Sequence, residues 1–242
     1  MGQREQRAAR GGIQPEGPSG QPFVRLEAVS KAYGSGASQL EVLNQVELNL
    51  PHGETTSLVG RSGSGKSTLL SVIAGLMRPD AGHVYIGGQQ MDQMDDDTRA
   101  GLRAERIGFV LQSDNLIPFL TAVENVELAI GFAPGRRSTA RARELLSDLG
   151  LGHRMDHLPR QLSGGESQRV AVAVALANAP DLLLADEVVG QLDTATAGDV
   201  MEMIFTASRE RNLTVLYVTH DEQLARRAHR SLRLIDHKVV PA

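Results

Sequence analysis

The feature that most limits what this chain can become is Gly60-Arg61-Ser62-Gly63-Ser64-Gly65-Lys66-Ser67-Thr68. It fits G-x-x-x-x-G-K-[ST] and lies in the setting that pattern requires. The short apolar run Thr56-Ser57-Leu58-Val59 precedes it, and a helical segment from Lys66 to Leu76 follows. The glycines let the backbone curl until successive N–H groups point at one centre. The helix start adds a partial positive charge of about half a unit. Lys66 is a compact cation able to reach β- and γ-phosphate oxygens, and Ser67 offers a hydroxyl to Mg²⁺. Lysine is scarce here, with only Lys31, Lys66 and Lys238 in the chain, so a lysine at this position invites a chemical reason.

Around this loop, strands alternate with helices, the pattern of an α/β sheet covered on both faces. Phe23 to Leu26 and Val42 to Leu50 alternate apolar and polar residues, and Val84-Tyr85-Ile86 is a further short strand. Asp97 or Thr98 is placed to cap a helix through Arg103, and Ile107 to Leu111 reads as a strand. From Ser113 to about Leu158 the pattern turns helical, with Ala140 to Leu149 closed by Gly150, as if inserted into the sheet. Helix 164–178, strand 182–185, helix 196–209, strand 215–219, helix 221–229 and strand 232–235 complete the reading. Residues 1–22, rich in Gly, Pro and Arg and poor in aliphatics, read as a disordered tail. Residues 23–242 read as one domain, with a helical subdomain at about 113–165.

Leu182-Leu183-Leu184-Ala185 ends in two acids, Asp186 and Glu187. A buried strand delivers such residues to the carboxyl edge of a sheet, where α/β folds bind ligands. Asp186 is a candidate for Mg²⁺ through a water, and Glu187 for polarising an attacking water. Taken without the glycine loop, the segment has a second, less favoured reading as a strand followed by an exposed acidic turn.

Ser163-Gly164-Gly165-Glu166 forms an S-x-x-E capping box, so a helix with exposed N–H groups starts there, and its two glycines allow close approach to an anion. With Leu162 before it and Ser167-Gln168-Arg169 after, the segment resembles the LSGGQ signature of ABC-transporter ATPases. The glycine loop before it, Asp186-Glu187 after it and Thr219-His220-Asp221 later keep the order and spacing of that family from Phe23 to Val240. The resemblance implies a phosphate-loop NTPase core of α/β class, with a small antiparallel β subdomain and an inserted α-helical subdomain. It further implies ATP and Mg²⁺ as ligands and a head-to-tail homodimer that sandwiches two MgATP.

Carried over position by position, the resemblance makes Tyr33 the aromatic that stacks on adenine, with an ordinary turn tyrosine as the lesser alternative. Gln112 becomes the glutamine that touches Mg²⁺ and water and couples to the membrane partner. Ser163, Gly164, Gly165, Glu166 and Asp193 face the partner subunit's ATP, and His220 contacts the γ-phosphate. Alone, His220 reads as a surface residue at a strand end. The segment Asn115 to Val126 is similar to the lipoprotein-releasing and macrolide-exporter type, in which the ATPase serves a separately encoded integral membrane permease. That places the chain on the cytoplasmic face of the inner membrane, held there by the permease. A signalling ATPase of the cell-division type and an ATP-binding module with weak hydrolysis are the alternatives. The chain departs from the family pattern in three places, at four residues. Val188-Val189 replace Pro-Thr, Glu166 replaces Gln, and Val174 stands where Arg is common. The first leaves the turn after Glu187 less fixed and predicts slow ATP turnover.

Composition narrows the remaining choices. The absence of cysteine removes disulfide frameworks, Cys-ligated zinc and thiol catalysis. A net charge of −4 gives no general basic field for nucleic acid. The longest uncharged runs, 67–77 and 170–180, fall well short of the roughly 18 apolar residues of a membrane span, so no direct membrane insertion is expected. His153 and His157 are four apart but lack a third ligand, and Asp95-Asp96-Asp97 reads as a helix start. Arg136-Arg137 and Arg226-Arg227 read as solvated faces.

Overall fold

Strand β7, Leu182–Asp186, is buried along its whole length, and its side chains feed two different cores. Leu182 and Leu184 point into one, Leu183 and Ala185 into the other. Its neighbour β8, Thr214–Val218, divides the same way: Leu216 and Val218 join the first core, Val215 and Tyr217 the second. Continuous apolar strands of this kind need helices on both faces. The computed structural model describes residues 21–34, 36, 39–112, 115–133, 138–190 and 192–242. Ser35, Ser113, Arg136, Arg137, Gln191 and nearly all of the expected disordered tail lie outside them.

The main sheet has the order β10-β9-β3-β8-β7-β6. It is built from β3 (Thr55–Val59), β6 (Ile107–Val110), β7, β8, β9 (Arg230–Ile235) and β10 (Lys238–Pro241). The pairs β3–β8, β3–β9, β7–β8 and β6–β7 are parallel, so the carboxyl ends of these strands share one edge. A second, antiparallel sheet has the order β2-β1-β4-β5, from β1 (Val24–Tyr33), β2 (Leu40–Leu50), β4 (Ala81–Ile86) and β5 (Gln89–Gln90). It shares a core with α1 (Lys66–Ile73) and with Leu102 of α2 (Asp96–Arg106). On the opposite face of the main sheet lie α3 (Ala122–Gly131), α4 (Thr139–Asp148), α5 (Gly164–Leu176) and α6 (Thr194–Arg211).

Several element ends move from where the sequence pattern sets them. Helix α1 stops at Ile73 because Gly75 turns out of the helix at φ 65°, its N–H bonded to the Val72 carbonyl. Helix α2 is capped by Asp95, not Asp97 or Thr98; its carboxylate accepts from Thr98 N at 2.8 Å and from the Thr98 hydroxyl at 3.0 Å. Helix α6 starts at Thr194 under the Asp193 cap. The expected helix 221–229 is a single turn, α7 (Glu222–Ala225), because His229 leaves it to bond Thr55. The edge strand β10 carries no turn signal in the sequence. Its hairpin turns on Asp236 and His237, both at positive φ without glycine.

Candidate active site

The parallel register sets four chain segments on one edge. Leu58 of β3 and Asp186 of β7 both pair with Val218 of β8, and Val110 of β6 pairs with Ala185. The residues that leave this edge are therefore the loop from Gly60, the Asp186-Glu187 step, His220 after β8 and Gln112 after β6.

The loop from Gly60 is shaped by backbone that other residues would disturb. Gly65 sits at φ 105°, and a Cβ there would lie 2.6 Å from Val42 Cγ1 and 2.9 Å from the Val42 carbonyl oxygen. No side chain caps the start of α1, so its first amides have no side-chain acceptor, and Arg61, Ser62, Gly63 and Ser67 are exposed beside them. Ser64 and Gly65 are half-buried. Lys66 folds back over the loop: its ammonium donates to the Gly60 carbonyl at 3.0 Å and the Arg61 carbonyl at 2.9 Å. Burial lowers the Lys66 pKa from its usual value, and Glu187 and Asp186 oppose that shift. A cation so placed is short of solvent and gains from an incoming anion. The Tyr33 hydroxyl lies 3.3 Å from Thr68 Oγ1, which sets the half-exposed tyrosine ring beside the helix start.

Glu187 occupies the left-handed region at φ 48°. Its carboxylate is held from two sides: Oε1 lies 2.5 Å from His220 Nε2, and Gln112 Nε2 donates to Oε2 at 3.0 Å. The turn that follows closes without proline. Gly190 N donates to the Glu187 carbonyl at 3.0 Å, Leu192 N to the Val189 carbonyl at 3.1 Å, and Val188 is buried. Asp186 is also buried, and no group among the described residues donates a hydrogen bond to its carboxylate.

The second glycine segment opens α5, which packs into the other core from α1. Ser163 caps α5 by accepting from Glu166 N, and Ser163 N donates to Glu166 Oε2 at 2.8 Å, completing the box. Glu166 Oε1 also accepts from Arg154 Nε at 2.8 Å, an arginine that the sequence pattern did not single out. These contacts hold the Glu166 pKa down at about 2. Gly165 abuts Thr196, with 2.3 Å between its virtual Cβ and Thr196 Cγ2, while Gly164 faces Leu192 at 3.5 Å. The signature segment and the residues flanking Asp193 thus form one surface. Asp193 itself spends a carboxylate oxygen on Ala195 N and Thr196 N, both at 3.1 Å. Among the described residues, no hydrogen bond or ion pair joins residues 163–166 to residues 60–68.

His157 Nε2 lies 3.3 Å from Arg154 Nη1, and no group of three metal-ligating side chains occurs among the described residues. Asp95-Asp96-Asp97 is the start of α2.

Comparison with known proteins decides the family. The sequence profile described as "ABC transporter" matches residues 43–190. The chain belongs to the ABC transporter family. It is an ABC ATPase, the ATP-binding subunit of such a transporter. It is 48% identical over 216 residues to YbbA of Escherichia coli, an uncharacterised ABC transporter ATP-binding protein, covering 88% of this chain and 95% of that protein. It is 46% identical over 220 residues to LolD of Geobacter metallireducens, a lipoprotein-releasing system ATP-binding protein, covering 90% of this chain and 98% of that one. The fold matches the solved dimeric, post-hydrolysis structure of the ATP-binding cassette MJ0796 bound to ADP and Pi. There the TM-score is 0.84 at 43% identity, over 89% of this chain and 96% of that one. No helix among the described residues of the ABC ATPase is long and apolar enough to cross a membrane.

Proposed function

We propose that two copies of this ATPase close head to tail around two MgATP and so drive a conformational change in a separately encoded membrane permease of the lipoprotein-releasing type. The observation that carries this reading is the division of the anion-holding parts. The loop with uncapped amides and Lys66 opens α1 in one core, Ser163-Gly164-Gly165 opens α5 in the other, and among the described residues no hydrogen bond joins the two segments. A second copy supplies each half with its complement.

Within one site, the amides of residues 61–68 and Lys66 hold the triphosphate, and Tyr33 packs against the base. Glu187, aimed by Gln112 and His220, orients the water for in-line attack on the γ-phosphorus. The ATP β–γ bond breaks, the water's oxygen joins phosphate, and its proton leaves towards the Glu187–His220 pair. Mg²⁺ suits the donors present, all of them hard oxygens: the exposed Ser67 hydroxyl, the Asp186 carboxylate, to which no described residue donates, and the Gln112 amide oxygen. When bound, it neutralises charge on the phosphates.

For the permease, Phe119 and Phe132, exposed by 77% and 68%, flank α3. Phe132 also lines an apolar groove of about 550 Å³ beside β6, the strand that leads into Gln112. An apolar membrane-protein segment seated there lies close to the site, on the cytoplasmic side of the membrane. The test is Glu187→Gln, which keeps ATP binding while removing the carboxylate. With MgATP this variant sediments as a dimer and without nucleotide as a monomer. A variant that stays monomeric in millimolar MgATP contradicts the reading.

A further inference from the structure

The signature segment carries a negative charge where its task calls for none. The start of α5 offers the Ser163 hydroxyl and the first amides of the helix, yet Glu166 sits in that same turn. An unrestrained carboxylate there repels a triphosphate. In this structure both of its oxygens are taken. Oε2 accepts from Ser163 N and Oε1 from Arg154 Nε, each at 2.8 Å, and the side chain is only 13% exposed. The arginine is itself well fixed. It lies in the loop between α4 and α5, where Arg154 N donates to the Leu151 carbonyl and His157 N donates to the Arg154 carbonyl. That loop is pinned to the start of α3, whose Ala122 and Val123 amides donate to the carbonyls of His157 and Met155. Nearby Asp156 pairs with Arg143 instead.

We propose that Arg154 is a positioning residue of the signature half-site, holding Glu166 back on the helix cap and cancelling its charge so that the amides of α5 can receive the partner's ATP. The proposal rests on the head-to-tail reading above. Without the guanidinium, Oε1 loses its hydrogen-bond donor and keeps only the exposed His153, whose Nε2 is 4.0 Å away, so the carboxylate charge stands beside the incoming phosphates without the arginine's permanent charge against it. The fault lies in that charge, so removing it as well repairs the site.

The experiment uses the full chain carrying Glu187→Gln, with dimer formation followed by light scattering as MgATP is raised. Adding Arg154→Ala raises the MgATP needed for half-dimerisation by about tenfold. Adding Glu166→Gln to that variant brings it back to within about threefold of the parent. In a chain blocked from closing by Gly164→Asp, Arg154→Ala leaves the affinity for a fluorescent ATP analogue unchanged, because the loop of residues 60–68 is untouched. If Arg154 only packs the loop, the Arg154→Ala and Arg154→Ala/Glu166→Gln chains fail alike, with the same fall in melting temperature, and that result overturns the proposal. An Arg154→Ala chain that dimerises like its parent overturns it too, while the head-to-tail reading survives. A parent that never dimerises removes both.

Discussion

Glu187 Oε1 and His220 Nε2 stand 2.5 Å apart, joining the carboxyl ends of two adjacent parallel strands. The contact, with Gln112 on the other carboxylate oxygen, fixes a side chain whose backbone lies in the left-handed region. His220→Ala frees that carboxylate from one side. Expected is a fall in kcat of about 100-fold with nucleotide affinity changed by less than about threefold. Equal losses in kcat and affinity would mean that His220 serves binding, not alignment.

Gly65→Ala tests the loop's dependence on backbone freedom. The new Cβ meets the Val42 backbone oxygen and side chain, and alanine is strained at φ 105°. The variant loses at least about 2 kcal/mol of stability and its ATP binding, read by chemical denaturation and calorimetry. Normal binding in a stable variant would show that the curl is not required.

Glu166 gives a pH dependence of known sign. Its pKa in the folded chain, about 2, lies below the usual 4.5, so the ionised form stabilises the fold. That contribution is complete above about pH 4.5 and is lost as the pH falls towards 2. Urea unfolding at a series of pH values compares the chain with Glu166→Gln. The wild type is the more stable at pH 7, and the gap narrows on acidification. A gap constant between about pH 7 and 3 contradicts this assignment.

Much of the site is legible in the sequence because its chemistry is local. Gly60 to Thr68 declare the loop by glycine spacing, Leu182 to Glu187 declare a buried strand ending in acids, and Ser163 with Glu166 declare a helix start. Contacts made across the fold are not legible in this way. Arg154 reaches Glu166 from a loop that shows no pattern of its own. The Tyr33 hydroxyl meets Thr68 across 35 residues. The hydrogen bonds that span the turn after Glu187, from Gly190 N to the Glu187 carbonyl and from Leu192 N to the Val189 carbonyl, are likewise not written in the identities of Val188-Val189. Asp95 wins the cap of α2 from Asp97 because Thr98 can donate to it twice, a choice that three successive aspartates leave open.

Complementation between two dead variants tests the central claim most directly. Lys66→Ala disables the loop of residues 60–68. Gly164→Asp sets a carboxylate at the signature, where a Cβ meets only Leu192 at 3.5 Å. In a head-to-tail dimer of one with the other, one site carries both defects and the second carries neither. Half of randomly paired dimers are mixed, so the account predicts that an equal mixture recovers about a quarter of wild-type ATPase activity from two inactive proteins. A mixture as inactive as its components would contradict it.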